Sequence, residues 1–469
     1  MAELPISELP ILGQFDFAED DREKFQGVNR FNKAFWVDDD RVDEFAQYLL
    51  DEYQVNHNIR TAPQKVQYFN TLKIIICNLI VSYKSGKTYI AINLGANEFL
   101  CDIAKYEPVH ITRTIFGNLI KWLVDEDYLN LYKSTNNPTI GISSMIEILD
   151  PIKDLIDSYE LKFKDIFFHD EYRFVQQKDE AKELVDYKDT EETKYREDIL
   201  QRYIKLLNAS DVTIDDKSIS KPVSLNSTFL GKIGSYGRIN GGEWMNCKSE
   251  LRKTIKINGS STVEVDISNC SIRLASNING NDLPLDINVY EVEGVEEALV
   301  KKISIIMQNI NPTSVADGLN KVTGAVLNSY IEEASNRVAM RDIQGGGDGR
   351  AVASEKKRYL NTHQSNKEIM TANSIPYTRQ ELRAIVNRVY EYHNEFADGW
   401  LLCGRGLELQ YKESQVAFKV IEKFLELDKV VLTIHDSFIT KEEDKELLVD
   451  VVSSSYQELY KYLPKLSYK

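Results

Sequence analysis

The sequence predicts an α+β fold in which long helices accompany an antiparallel sheet. Apolar residues recur at helical spacing in segments such as QYFNTLKIIICNLIVSY, whereas shorter segments such as TVEVD and KVVLTI have the alternating or continuous apolar pattern of strands. A polar tripeptide interrupts KVVLTIHDSFIT as a tight turn interrupts a β-hairpin. A chain of 469 residues with 42% hydrophobic content can also form two or three domains with separate cores.

The charge balance restricts the possible partners. Lysine and arginine number 57 against 73 acidic residues, which gives a net charge of −16. This balance argues against a protein that coats nucleic acid indiscriminately by neutralising phosphates. Any nucleic-acid site should therefore be a local basic groove on an acidic body.

The apolar segments and the cysteines indicate a cytoplasmic protein. No stretch of about eighteen apolar residues occurs, so we expect no membrane partner. The five cysteines are odd in number, widely spread and free of CxxC spacing, which indicates neither a disulfide framework nor a zinc site. A reducing compartment suits them best.

Four domains are expected along the chain. Residues 1–64 are acidic and weakly periodic, and we interpret them as an N-terminal arm. Residues 65–150 form a compact helix and strand domain, and residues 151–220 a charged helical connector. The connector contains QQKDEAKELVDYKDTEETKYREDILQRYIKLL, whose mixed charges at helical spacing suit a solvated helix. Residues 221–469 contain the segments with catalytic character.

The domain at 65–150 has a recognisable order of elements. A long helix, the strand TYIAINL, the helix of ITRTIFGNLIKWLVDEDYL and two strands around a turn at 136–138 follow one another. This order resembles the winged-helix family, which implies a second helix able to enter a DNA groove, with Arg113 and Lys121 as its cations. Winged helices also serve as protein-contact modules, and both interpretations stay open.

Two aspartates in the C-terminal domain are candidates for metal-dependent catalysis. In TVEVDISNCSIRLA, Asp266 ends an alternating strand and Ser268 is expected to cap the following helix. In KVVLTIHDSFIT, Asp436 occupies the predicted hairpin turn. Alone, each acid has an ordinary explanation, as a helix N-terminal acid or a turn aspartate. Together they supply the carboxylates that two-metal phosphoryl transfer requires.

These segments resemble a known superfamily. DISNCSIRLA is similar to motif A, and IHDSF to motif C, of the superfamily that joins family A DNA polymerases with single-subunit, bacteriophage-type RNA polymerases. The resemblance implies an antiparallel-sheet palm with helical fingers and thumb, the thumb arising from the connector. It implies that Asp266 and Asp436 bind two Mg²⁺ ions, with Mn²⁺ as a substitute. The implied partners are a nucleic-acid template and primer and nucleoside triphosphates.

Further site residues follow from the same resemblance. In SYGRINGGEWMNCKSELRKTIKING, Arg238 corresponds to a nucleic-acid contact and Arg252 to a triphosphate contact. His435 would touch the primer end or a phosphate. The helix EEALVKKISIIMQNIN offers Lys301 and Lys302 as the fingers lysine that binds the triphosphate, although a plain surface helix explains it equally. The basic segment GGGDGRAVASEKKRYL is a rival source of cations.

Departures from the family pattern keep the substrate open. Ser271 stands where family A DNA polymerases usually carry the glutamate that excludes the ribose 2′-hydroxyl, and Ser437-Phe438 is similar to the RNA polymerase branch. The usual arginine before the fingers lysine is also missing. The alternatives are therefore a primase or phage-type RNA polymerase, or a catalytically inactive, polymerase-like DNA-binding replication protein. A small polymerase with its own DNA-reading domain would suit a phage or mobile element.

Overall fold

The fold is given by a computed structural model of the chain. The described residues are 28–95, 99, 101, 103–132, 144–347 and 349–468. The predicted turn at 136–138 and residues 1–27 of the predicted arm lie outside them. Helices and mainly antiparallel strands alternate along the described chain, so the predicted α+β class is confirmed.

The first part of the described chain builds one apolar core. Its described elements are β1 (Asn29–Arg30), β2 (Phe35–Trp36), α1 (Asp40–Asn56), α2 (Ala62–Lys84), β3 (Tyr89–Ile92), α3 (Arg113–Asp125), β4 (Leu129–Tyr132), β5 (Ser144–Ile148), α4 (Asp150–Ser158) and β6 (Phe167–Phe168). Four of these strands form a sheet of order β1-β3-β5-β4, β2 pairs with β6, and the apolar side chains of the helices and strands pack together.

Local sequence explains the ends and burial of these helices. Thr61 and Thr112 accept hydrogen bonds from backbone N–H groups in the first turns of α2 and α3. From 71 to 82 every residue of α2 is buried, which makes α2 the central helix of this core. From α2 to β5 the order is helix, strand, helix, strand, strand. The winged-helix assignment of this region stays a prediction.

The charged connector differs from the expected solvated helix. Its charged stretch, residues 176–207, contains most of β7 (Val175–Lys178), the strand β8 (Leu184–Val185) and one α-helix, α5 (Glu191–Ala209), instead of a continuous helix. One face of α5 is buried, because apolar residues recur every three or four positions between the charges. These buried apolar residues are Ile199, Leu200, Tyr203, Ile204 and Leu207.

The remaining elements build a second, larger core. It joins the connector to the C-terminal domain. The elements are β9 (Val212–Ile214), β10 (Lys217–Ser218), β11 (Asn226–Leu230), β12 (Tyr236–Asn240), α6 (Ser249–Arg252), β13 (Lys256–Ile257), β14 (Ser260–Ile267), α7 (Cys270–Ile278), α8 (Glu297–Asn309), α9 (Val315–Gln344), α10 (Arg350–Thr362), α11 (Lys367–Ala372), α12 (Arg379–Asn394), α13 (Gly406–Glu426), β15 (Leu432–Ile434), β16 (Ser437–Lys441), α14 (Lys445–Tyr460) and β17 (Leu466–Tyr468).

The sheet that carries both candidate aspartates is antiparallel throughout. Its strand order is β10-β9-β13-β14-β16-β15, with β17 paired to β14 beyond β13. β14 is therefore central, because β16 pairs with one edge while β13 and β17 share the other. Helix α13 packs against α5, α7 and α14, and also against β12. That strand belongs to a separate sheet of order β12-β11-β7-β8.

A buried tryptophan supports the strand that leads to the hairpin. Trp244 is fully buried, and its indole N–H donates to the Thr433 carbonyl at 3.0 Å. A Cβ atom on Gly242 would lie 2.6 Å from the indole ring, so glycine is needed at this contact. The rigid packing around β15 fixes where its following turn projects.

Candidate active site

Strand β14 presents Asp266 at one end of the sheet. Val263, Val265 and Ile267 alternate into the core, while Asp266 is half-buried on the other face. In the ladder, Asp266 is opposite Ser437 on β16 and Ser467 on β17. The Ser467 hydroxyl donates to the Asp266 carboxylate at 3.4 Å.

The hairpin between β15 and β16 brings Asp436 to the same end. Ile434 pairs with Ser437, which leaves His435 and Asp436 as a two-residue turn. His435 has φ 59°, the left-handed conformation that such a turn demands. The Ile267 N–H donates to the Asp436 carbonyl at 3.0 Å. The predicted hairpin is thus present, and the elements carrying the two aspartates adjoin.

Helix α7 begins one residue later than the Ser268 cap predicts. Asn269 occupies the N-cap position with φ 60° and makes no side-chain capping bond. The prediction was wrong because the Ser268 N–H pairs with the Lys465 carbonyl at 2.8 Å, so residue 268 belongs to the turn that follows β14 and not to the start of the helix. As a result Cys270, the first helical residue, turns into the buried space beside the aspartates.

A carboxylate from a third element joins this end of the sheet. Within the described part of the chain, ligand atoms of Cys270, Glu413 and Asp436 all lie within 4.8 Å of one another. Glu413 comes from α13 and is buried. Its two oxygens accept from the guanidinium of Arg238 at 2.9 and 2.6 Å, a bidentate ion pair. We call Asp266, Asp436, Glu413 and Arg238 the acid cluster.

The pKa values of Asp436, Glu413 and Arg238 are shifted within the acid cluster. Burial, reinforced by the negative charges of Glu413 and Asp266, raises the pKa of Asp436 to about 7. Burial also raises the pKa of Glu413, although the Arg238 guanidinium opposes that rise. Burial disfavours the charge on Arg238, but the attraction of Glu413 outweighs it and the pKa of Arg238 lies above its usual value. Glu413 and Asp436 therefore both interact with the Arg238 guanidinium.

His435 lies beside the acid cluster as a neutral side chain. Burial, together with the positive charge of Arg238, lowers the pKa of His435 to about 4. Its Nδ1 atom is buried and has no hydrogen-bond partner among the described residues. An imidazole with one unused nitrogen in such a position can still accept or donate one hydrogen bond.

Arg252 belongs to a different ion pair on the same strand. Its Nε donates to Glu264 at 3.0 Å, and the Ser437 hydroxyl donates to the same carboxylate at 2.7 Å. Glu264 lies two residues before Asp266 on β14. Arg252 is therefore anchored beside the sheet and not paired with the acid cluster.

The two candidate lysines of α8 have different surroundings. Lys301 is exposed and lies 6.0 Å from the ring of Tyr290. Burial raises the pKa of Tyr290, with smaller contributions from Cys270 and Asp436, so this ring adjoins the acid cluster. Lys302 instead lies 3.9 Å from Glu333 and 4.9 Å from the Tyr330 ring, on the side of α9. Lys301 is the better placed of the two.

The rival basic segment forms a helix of its own. It corresponds to α10, which packs along α9. Lys357 pairs with Glu332 at 2.9 Å, and Lys356 lies 5.6 Å from the Tyr359 ring. No contact of these lysines with the acid cluster is present in the described residues.

Ser271 contacts helix α8. Its hydroxyl donates to the Gln308 side-chain oxygen at 2.6 Å. The Gln308 amide nitrogen is buried and has no hydrogen-bond partner among the residues that the structure describes. Because Ser271 follows Cys270 directly, this pair lies next to the acid cluster.

The two cations of α3 lie in the other core. The Arg113 guanidinium donates to the Leu94 carbonyl at 3.1 Å, and Lys121 pairs with Asp125 one turn later. Both are on the helix that the winged-helix resemblance implicates. They are remote in the chain from the acid cluster and share no contact with it in the described residues.

The role of Glu413 is not among the predictions made from the sequence. A signal was present, because Glu413 lies on the apolar face of α13 together with Leu409, Val416 and Val420. An acid on a buried face requires a partner. The sequence does not show that this partner is Arg238, which lies 175 residues away.

The acid cluster has the chemistry of a divalent-cation site. Both Glu413 oxygens are already engaged by Arg238, so Asp266 and Asp436 are the carboxylates that would hold an ion. Hard carboxylate oxygens suit Mg²⁺ or Mn²⁺. Burial, together with the neighbouring charges of Glu413 and Asp266, disfavours the ionised form of Asp436 and raises its pKa. A divalent ion at this position would supply positive charge that stabilises the carboxylate.

Asp436→Asn tests this charge crowding. The carboxyl titrates near 3.8 when unperturbed, but near 7 in the fold, so between these values the folded protein keeps a proton that the unfolded chain has lost. Wild-type stability in EDTA should therefore fall as pH rises from about 4 to about 7, by about 1.4 kcal/mol per unit of pKa shift. The asparagine variant should lack this component of the decline and exceed the wild type at about pH 8.

Urea unfolding followed by circular dichroism measures the effect at each pH. Asp428→Asn, at an exposed turn of the same domain, is the matched control and should follow the wild-type curve. Parallel curves for wild type and Asp436→Asn across this range would show that the carboxylate is not crowded.

Comparison with known proteins adds little to these observations. No protein-family model and no curated protein matches the sequence. Among solved structures, the POL domain of Pol1 from M. smegmatis, in complex with DNA primer-template and dNTP, is 13% identical. That match covers 91% of this chain and 81% of the other, with a TM-score of 0.24, which is too low to support a conclusion. Among the described helices, none is long and apolar enough to cross a bilayer.

Proposed function

We propose that the chain is a template-directed nucleotidyltransferase. In the proposed reaction, a 3′-hydroxyl attacks the α-phosphate of a nucleoside triphosphate. The new oxygen–phosphorus bond forms as the bond to the bridging oxygen breaks, and pyrophosphate leaves. The observation that carries the proposal is that Asp266 on β14 and Asp436 in the adjoining hairpin turn, 170 positions apart in the chain, meet in a cluster with excess negative charge.

Asp266 and Asp436 are the proposed ligands of two Mg²⁺ ions, with Mn²⁺ as a substitute. The ions that these carboxylates would hold would supply Lewis-acid chemistry, which activates the attacking hydroxyl and stabilises the charge of the leaving pyrophosphate. The protein contributes rigid positions for the carboxylates, because phosphoryl transfer depends mainly on positioning and electrostatics. The central position of β14 and the two-residue hairpin support this role.

The basic residues have proposed roles in binding. Arg238 and His435, both at the acid cluster, would contact the primer or template. Lys301 and Arg252 would contact the triphosphate, with Lys302 as the weaker candidate because it lies toward Glu333. The net charge of −16 makes such local sites necessary for a polyanionic substrate.

The N-terminal region is proposed to be a winged-helix domain that contacts duplex DNA. Its order of elements from α2 to β5 supports this assignment. Arg113 and Lys121 lie on α3, the helix that would approach the groove. A cytoplasmic phage or mobile-element polymerase is the setting that such a combination suits.

Loss of either aspartate should abolish nucleotide incorporation. We expect Asp266→Asn and Asp436→Asn to lower the rate on a primed template by about a hundredfold or more, because charge stabilisation at the reacting phosphate is lost. Primer extension with labelled nucleotides measures the rate, and filter binding measures nucleic-acid affinity, which should change little. Asp428→Asn, exposed and distant from the acid cluster, is the control.

Two results would contradict the proposal. Extension by Asp436→Asn at the wild-type rate would remove this residue from catalysis. Wild-type protein that binds duplex DNA but incorporates no nucleotide with either Mg²⁺ or Mn²⁺ would support the alternative of an inactive, polymerase-like DNA-binding replication protein.

A second candidate function is RNA synthesis by a primase or phage-type RNA polymerase, and the contact between Ser271 and Gln308 favours it. A serine leaves space where the resembling DNA polymerases carry glutamate, and its partner Gln308 holds a buried donor with no partner in the described chain. A ribose 2′-hydroxyl could accept from such a donor.

Ser271→Glu should shift the substrate preference toward deoxynucleotides. The longer, charged side chain would fill the space beside Gln308, and we expect the ratio of NTP to dNTP incorporation to fall about tenfold or more. Steady-state kcat/KM values for each nucleotide provide the ratio. Ser365→Glu, at an exposed turn serine between α10 and α11, is the control. An unchanged ratio would remove Ser271 from sugar selection.

A further inference from the structure

Arg196 is a buried cation outside the acid cluster. It lies on α5, its side chain has no solvent exposure, and burial lowers its pKa despite the opposing effect of Glu192. Burying a guanidinium is costly unless its donors are satisfied. A purely apolar side chain would fill this position at lower cost, so the contacts of Arg196 indicate what it contributes.

The guanidinium of Arg196 bridges three parts of the fold. Within its own helix it donates to Glu192 at 2.6 Å. It also donates to the Ser227 hydroxyl on β11 at 3.1 Å, to the Gly237 carbonyl on β12, and to the Ser414 hydroxyl on α13 at 3.0 Å. The plane is enclosed by aromatic rings at 4.3 to 5.2 Å, which belong to Phe229, Tyr411 and Phe418.

Two of these contacts flank the ion pair of the acid cluster. Gly237 directly precedes Arg238, and Ser414 directly follows Glu413. Arg196 therefore holds the backbone beside one partner and the helix beside the other. Because its guanidinium is planar and its donors are fixed relative to one another, it sets the spacing between β12 and α13 at this point.

The close approach of β12 to the Arg196 guanidinium depends on a glycine at position 237. It has φ 66°, which favours glycine. A Cβ atom there would lie 2.9 Å from the Arg196 Nη1 and 2.9 Å from the Ser414 hydroxyl oxygen. The backbone of β12 thus approaches the guanidinium more closely than any side chain would allow.

We propose that Arg196 is a positioning residue that holds the Arg238–Glu413 pair beside Asp436 and thereby sets the charge at the cation site. This inference rests on the proposed function, because it concerns the same site. Without Arg196, the Arg238 guanidinium loses its pairing with Glu413 and pairs with the neighbouring carboxylate of Asp436. A guanidinium bound to Asp436 competes with a divalent cation for that carboxylate.

Mn²⁺ affinity measured by isothermal titration calorimetry tests the inference without any turnover. Arg196→Lys keeps the charge but loses the fork of donors, and we expect its Mn²⁺ Kd to rise about tenfold or more. Arg273→Lys is the matched control, since Arg273 is equally buried and donates to the carbonyls of Leu283 and Pro284. Its Kd should equal that of the wild type.

A double-mutant cycle separates positioning from general destabilisation. Glu413→Gln should weaken Mn²⁺ binding for the same reason, and adding Arg196→Lys to it should cause little further loss. If the two substitutions raise the Mn²⁺ Kd by independent factors that multiply in the double variant, the inference is overturned. A wild-type Kd for Arg196→Lys would overturn it as well. If Arg196→Lys does not fold, Ser414→Ala removes one contact alone, and an unchanged Kd in that variant would equally overturn it.

The result is distinguishable from failure of the proposed function. Mn²⁺ binding that is weakened by both Asp436→Asn and Arg196→Lys, in a protein that incorporates no nucleotide, would leave the inference intact and remove the polymerase proposal. Mn²⁺ binding and incorporation that depend on Asp436 but not on Arg196 would remove only the inference.

Discussion

Electrostatic repulsion among buried carboxylates is the constraint on which the candidate site depends. Asp266, Asp436 and Glu413 come from a central strand, a hairpin turn and a helix, and the guanidinium of Arg238 pairs with Glu413. Such an arrangement costs stability unless positive charge is added. Proteins retain crowded acids of this kind at functional sites, which is why the raised pKa of Asp436 is informative.

The surrounding fold keeps these groups from moving apart. β14 is paired on both edges, Trp244 supports the strand before the hairpin, and α13 is packed on several sides. Arg196 adds a polar connection between the sheet that carries Arg238 and the helix that carries Glu413. The crowded charges are thus held by a rigid apolar frame together with a small buried polar network.

Local patterns in the sequence predicted the parts of the site that depend on neighbouring residues. The alternation around Asp266 and the polar turn at His435 and Asp436 are local, and both the strand and the hairpin are present. The cap at Ser268 was wrong by one residue, because a backbone hydrogen bond to residue 465 decides it. Local propensity cannot include a partner so distant in the chain.

The long-range contacts could not be predicted for the same reason. Glu413 and Arg196 each interrupt an apolar helix face, which indicates a buried partner without identifying it. Only the packing of α13 against β12 and α5 shows that these side chains meet around Gly237. The connector shows a different kind of error. Its many charged residues led to the prediction of a solvated helix, although the apolar residues between them form a buried face on α5.

The most direct test of the cation site is a crystal structure of the protein with Mn²⁺, using anomalous scattering to locate the metal. Our account predicts an anomalous peak within about 2.2 Å of carboxylate oxygens of both Asp266 and Asp436, with the Arg238–Glu413 pair intact beside it. A metal bound by Cys270 and Glu413 but not by Asp266 would contradict the account. So would a structure without bound metal in which the carboxylates of Asp266 and Asp436 point away from each other.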